Sequence, residues 1–176
     1  MEFGARATGQ PSELRPIVCD IQEFVPDVGF PTCESRVMRA ERTFWEKATA
    51  MHVYCLAGHL RGESHHSRHW HDVVRLDGSG VADHAIADRQ LALAVASHKS
   101  FFFKEKASDD STIDYIQAVS GGLVIVPPDQ WIDPLKSDYA EMLDSGMLLD
   151  DAMDFDEIIN HCRDIQAKAN SAGSRD

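Results

Sequence analysis

The sequence predicts an α+β protein that is predominantly α-helical, with short β segments confined to the N-terminus. Three observations carry that prediction. Phe44, Trp45, Ala48, Met51, Cys55 and Leu56 recur at the helical period and draw one apolar stripe along a helix from Arg39 to Ala57. Phe155, Ile158, Ile159, Cys162 and Ile165 keep the same register near the other end. Between Met1 and Arg39, Pro11, Pro16, Pro26 and Pro31 interrupt every run, so no helix passes through and only short extended pieces remain.

Those extended pieces are Met1–Phe3, Pro16–Ile21 and Val37–Met38. Gly58 stops the first helix. A polar connector, His59–His66, leads to a second helix that Ser67 caps, with Trp70, Val73 and Val74 turned inward. Asp77-Gly78-Ser79-Gly80 is a turn. An Ala- and Leu-rich helix is predicted from Asp83 to Phe103, with Leu91, Val95 and His98 on one stripe and Phe101–Phe103 in the core. Another runs from Ser111 to Val119, where Gly121-Gly122 breaks it. Leu123–Val126 reads as a buried strand or as an extended connector, ended by Pro127-Pro128. A helix from Asp133 to Leu143 holds Pro134 near its first turn. The chain from Ala169 onward is small and polar and is expected to fray. The organisation is thus an extended, Pro-rich segment over 1–39, a helical domain over 40–170 and a flexible tail over 171–176. A freestanding domain rarely starts on a strand with little to pair it, so the first segment reads as the end of a larger sheet.

Composition narrows the function. The 176 residues are enough for one domain with a real core, and the 43% hydrophobic content is ordinary for a globular protein. No apolar run approaches the ~20 residues needed to cross a bilayer, and Met1–Arg6 lacks the pattern of a secretory signal. Cys19, Cys33, Cys55 and Cys162 form no C-x-x-C pair, and Cys55 and Cys162 sit on apolar helical faces, which fits reduced thiols in a cytoplasmic protein. The net charge of −12 opposes nonspecific attraction to nucleic acid. The acid is concentrated between Asp109 and Asp164, whereas residues 36 to 75 carry many arginines and histidines.

Two helical segments bear the chemistry. Glu41-Arg42-Thr43-Phe44-Trp45-Glu46-Lys47 is followed 25 positions later by Asp72 in Arg68-His69-Trp70-His71-Asp72, which places a lysine and a carboxylate to meet across a helix pair. By spacing alone Lys47 is a solvated lysine near Thr43 or Glu46, Asp72 an ion-pair partner of Arg68 one turn away, and Arg42 a brace for a helix end. His98-Lys99 reads as a pair complementing a helix C-terminus. His65, His66, His69 and His71 tempt a metal reading, but no H-E-x-x-H or closed Cys/His set is present.

These strings, with Asp138-Tyr139-Ala140-Glu141-Met142, His98-Lys99 ahead of Phe102-Phe103, Tyr115 ahead of Gly121-Gly122 and Pro127, and the opening Glu2-Phe3-Gly4-Ala5-Arg6, resemble the C-terminal half of the AbiEii/AbiGii nucleotidyltransferase toxin family. The resemblance spans nearly the whole chain. It implies the C-terminal part of a DNA polymerase β-type nucleotidyltransferase, with residues 1–39 as the end of the transferase core. It also implies the toxin of a bacterial toxin–antitoxin (abortive infection) system, with a cognate antitoxin as partner. The activity implied is transfer of a nucleotide from a nucleoside triphosphate to an RNA acceptor, in some members tRNA, with magnesium. Such chemistry needs cations because the triphosphate and the attacking hydroxyl otherwise repel each other. Carried onto this sequence, Lys47 would stabilise the triphosphate and Asp72 would act as base or orienting carboxylate. Arg42, Arg68, His69 and Lys99 would contact substrate, and Glu2 would be a third metal carboxylate.

One departure from the family pattern stands out. No Gly-Ser followed by Asp-x-Asp occurs in the 176 residues. The expectation is that the carboxylate pair lies upstream of Met1, in a partner chain, or in a lost part of a split or decayed gene, and that this chain alone does not transfer nucleotides. An unpaired strand edge would favour a homodimer. The alternative is a catalytically inactive helical remnant or module that binds a protein partner such as an antitoxin, which suits the acidic C-terminal half.

Overall fold

The computed structural model describes residues 8–58, 60, 65–148 and 153–174. It is mostly helical, with one small sheet at its start. Strands β1 (Ser12–Ile17) and β2 (Cys33–Met38) pair antiparallel, Leu14 opposite Arg36. Pro16 is tolerated in β1 because an edge strand leaves its missing donor uncontested. Ile21, expected in a strand, lies instead in a single 3-10 turn over Asp20–Glu23 between the two. Met1–Phe3 falls outside the described residues. The Arg39 amide donates to the Pro11 carbonyl at 2.9 Å, which ties the hairpin to the helix that follows.

That helix, α1 (Ala40–Ala57), is the centre of the molecule. The others among the described residues are α2 (Arg68–Gly78), α3 (Val81–Ala87), α4 (Arg89–Phe102), α5 (Tyr115–Gln117), α6 (Asp129–Asp144) and α7 (Phe155–Gly173). The α1 stripe packs against α2, α3 and α4, with Phe44, Trp45, Ala48 and Met51 fully buried. Gly58 ends α1 in the left-handed conformation, φ 69°, which glycine adopts without the steric cost of a Cβ. Trp45 locks α3 in place by donating its indole N–H to the Ala85 carbonyl at 2.9 Å. None of these helices is long and apolar enough to cross a membrane.

Several boundaries differ from the sequence reading, each for a local reason. The helix expected over Asp83–Phe103 starts at Val81 and divides at Asp88, whose carboxylate accepts from the Leu91 amide at 2.9 Å and caps a new helix. Phe101 and Phe102 are 77% and 54% exposed rather than in the core, because α4 ends there and its buried face carries Leu91, Val95 and Lys99. The helix expected from Ser111 starts only at Tyr115, since Asp114 accepts from the Ile116 and Gln117 amides. α6 starts at Asp129, four residues earlier than expected, so Pro134 sits inside it.

The fraying expected from Ala169 does not occur up to Gly173. α7 packs on the wide turn Ala118–Gly122 so closely that a Cβ on Gly173 would lie 2.5 Å from the Gly121 nitrogen. Gly121 itself has φ 103°, a conformation that L side chains rarely adopt.

Leu123–Val126 resolves as an extended connector. Side chains take the place of a partner strand, as the backbone accounting of a buried segment demands. Asn170 accepts from the Leu123 amide and donates back to its carbonyl, at 2.7 and 2.9 Å. His52 accepts from Val124 at 3.0 Å, and Gln166 accepts from Ile125 and Val126 at 2.8 and 3.2 Å. Trp70 donates to the Ile125 carbonyl at 2.8 Å.

Candidate active site

Beside the apolar stripe of α1, Lys47 points to α2. Its Nζ lies 2.6 Å from Asp72 Oδ2, with the two side chains 18% and 32% exposed. The pair is partly withdrawn from water, where attraction between opposite charges is stronger than at an open surface. Burial pushes the Asp72 carboxyl up, but hydrogen bonding to Lys47 and its charge outweigh this and hold it below the ordinary carboxylate range. Asp72 is therefore ionised at neutral pH. Its other oxygen lies 3.3 Å from His71 Nδ1. The pairing with Arg68 that the spacing suggested is replaced by this one across helices; Arg68 is exposed at the start of α2.

His69 lies one turn before Asp72. Burial, then the charges of Lys47 and Arg68, push its pKa down to about 4, so its ring is neutral at pH 7. Its Nδ1 is buried with no hydrogen-bond partner among the described residues. The ring leans on Tyr54, centroids 5.7 Å apart.

Behind Lys47, on the same helix, Glu46 gathers two cations. Arg42 Nη2 lies 2.8 Å from its Oε1, and Lys99 Nζ lies 3.3 Å from its Oε2 and donates to its backbone carbonyl at 2.9 Å. Arg42 also donates to the Gln10 carbonyl at 2.8 Å. Both cations are buried, Arg42 4% and Lys99 9% exposed. Burial pulls the Lys99 pKa down and Glu46 opposes it. The structure thus brings Lys47, Arg68, His69 and Asp72 to one face and engages Arg42 and Lys99 on Glu46 beneath it. Sequence reasoning did not single out Glu46 as a hub, because its partners lie one turn away and on another helix. It also missed Ser67 with Asp138 on α6. The Ser67 amide and hydroxyl donate to one Asp138 oxygen at 2.8 and 2.6 Å.

His52 and His69 make a pH prediction. His52 accepts at Nδ1 from Val124 and so carries its proton on Nε2; burial pushes its pKa to about 4 as well. Both values are depressed from 6.5, so the unfolded chain binds more protons between these limits and stability rises with pH there. Stability held above pH 6.5 should be lost progressively as pH falls toward 4. Urea midpoints at pH 7 and pH 5 check this, and His52→Gln should flatten the dependence.

The strings Glu41–Lys47 and Arg68–Asp72 that carry the resemblance form this face from α1 and α2; Lys99 reaches the first from α4, and Asp138 reaches Ser67, just ahead of the second, from α6. A family model described as nucleotidyl transferase AbiEii toxin of a type IV toxin–antitoxin system matches residues 1–161. The chain belongs to the AbiEii family. No curated protein and no solved structure gives a significant match. Family membership supports a nucleotidyltransferase toxin whose system includes an antitoxin, and such transferases generally act on a nucleoside triphosphate with a divalent metal.

How this AbiEii chain fits those two groups differs. Lys47 and Arg68 offer donors of the kind that phosphate oxygens accept. A magnesium site needs converging oxygen ligands, and no group of three His, Cys, Asp or Glu side chains converges among the described residues. That holds for the His65–His71 cluster too. Glu2, the metal carboxylate implied by the resemblance, lies outside the described residues. The described residues thus offer donors to an anion and no converging ligand set to a metal.

Proposed function

We propose that the α1–α2 face binds the triphosphate of a nucleotide to be transferred to an RNA acceptor. The observation that carries this reading is the Lys47–Asp72 pair. An ammonium has three donors; Asp72 takes one and thereby aims the other two. Lys47 then neutralises the developing charge on the phosphates, and Arg68 at the mouth of the face adds a second cation. Asp72, held ionised by its partner, is a weak base, so its role is to orient Lys47 and the acceptor hydroxyl rather than to take the proton outright. Neutral His69 offers a hydrogen bond without adding charge. Arg42 and Lys99 act from behind by fixing Glu46, the neighbour of Lys47, although the resemblance alone would put them on the substrate.

On this reading residues 1–39 are the end of the transferase core and 40–170 the helical domain, with magnesium supplied alongside the triphosphate in the cytoplasm. Calorimetric titration with magnesium–ATP, −GTP, −CTP and −UTP, and with tripolyphosphate, tests it. Saturable binding that tripolyphosphate competes away is expected; no saturable binding by any of them would overturn the reading. A second reading is favoured by the −12 charge: a catalytically silent module that binds a protein such as the antitoxin. Under that reading the chain ignores every triphosphate and tRNA but co-purifies with the antitoxin.

A further inference from the structure

We infer that Asp138 is a positioning residue of this site, setting the first turn of α2 from α6 and thereby holding Asp72 opposite Lys47. The inference rests on the reading of that face given above only for its consequence in binding.

The N-terminus of α2 does not cap itself. Ser67 stands at the N-cap position, yet its backbone is already helical (φ −61°, ψ −20°) and its side chain makes no capping bond. The hydroxyl that ordinarily accepts from the second or third helical amide donates to Asp138 instead, and the Ser67 amide donates to the same oxygen. The His65 amide donates to the other oxygen. Three donors from one stretch of chain therefore converge on one carboxylate. Ser67 is fully buried, and His65 has φ 75°, a conformation that a non-glycine residue keeps only when its surroundings hold it.

Asp138 is itself fixed. The neighbouring Tyr139 donates to the Met153 carbonyl at 2.9 Å, packs with its ring tilted 41° at 5.3 Å from Phe155 and lies 6.2 Å from the His71 ring. The core-facing side of α2 has its own anchors, Trp70 on the Ile125 carbonyl and fully buried Val73. Losing the Asp138 contact should therefore loosen the first turn without melting the helix. Arg68 and His69 lie in that turn, and Asp72 in the next. A shift of about 1 Å at such a distance is enough to spoil a charge pair meant for a ligand.

The test compares Asp138→Asn, the milder Ser67→Ala, and Lys47→Ala in the full chain. Two readouts are taken: affinity for tripolyphosphate, and the carboxyl carbon titration of Asp72 by NMR. In Asp138→Asn the Asp72 titration should move up toward the ordinary carboxylate range, and affinity should fall about tenfold, with Ser67→Ala between it and the parent. An unmoved Asp72 titration in both Asp138→Asn and Ser67→Ala overturns the inference, whatever happens to stability. If Asp138→Asn does not fold, Ser67→Ala decides. If Lys47→Ala leaves tripolyphosphate binding unchanged while the Asp72 titration moves in Asp138→Asn, the triphosphate reading fails and the positioning of the pair stands.

Discussion

Replacing Lys47 with alanine is expected to weaken triphosphate binding by about tenfold to a hundredfold, since a hydrogen bond to a charged group is worth about 1.5–3 kcal/mol. The loss has two parts. The phosphates lose their nearest point charge, and Asp72, now unpaired, repels them from the same face. Lys47→Arg should rescue only in part, because a planar fork cannot serve Asp72 and the phosphates with the geometry of a compact ammonium. Stability should fall more modestly, by about 1–3 kcal/mol, because Asp72, with its side chain 32% exposed, loses the partner that offsets its partial burial. Calorimetry and urea denaturation on the same samples separate the two effects. Unchanged affinity in Lys47→Ala would remove this face from the function.

Trp70→Ala should have the largest effect on stability, about 3–5 kcal/mol. That is a large part of the 5–15 kcal/mol typical of a domain of this kind. Trp70 is fully buried, and its indole N–H holds the Ile125 carbonyl at 2.8 Å. It therefore joins α2 to the connector that replaces a strand. Trp70→Phe separates packing from hydrogen bonding: most of the ring volume stays and the carbonyl loses its partner, for about 1–3 kcal/mol. Equal losses in the two variants would mean that the hydrogen bond dominates; a loss under about 1 kcal/mol in Trp70→Ala would place Trp70 outside the core. The assay is the urea midpoint with its slope, since an altered slope would report a changed unfolded state.

Much of the helical layout was legible before the structure. The stripe through Phe44, Trp45, Ala48, Met51 and Cys55 repeats within one segment and is buried in α1, where Arg42, Thr49, His52 and Val53 join it and Leu56 stays half-buried. Phe155, Ile158, Ile159, Cys162 and Ile165 behave the same way in α7. Helix ends were less legible. Asp88 starts a helix through one side-chain bond and Asp114 through two, and nothing in the apolar pattern marks which aspartate will do so. Phe101 and Phe102 misled because residue type favours burial while position on α4 decides it.

In the candidate site the same division holds. The sequence by itself determined that α1 and α2 are helices and that Lys47 and Asp72 lie on helical segments 25 residues apart. The sequence offered Asp72 both Lys47 across the helix pair and Arg68 one turn away; the tertiary structure decided between them and set the other pairings. Asp72 turned to Lys47 rather than to Arg68 one turn away, Glu46 collected Lys99 from 53 residues on, and Asp138 took the donors of Ser67 from 71 residues back. The physical reason is range. Helical periodicity is local and repeats within each segment, whereas a pairing across helices depends on how buried faces pack and appears nowhere in the order of the residues.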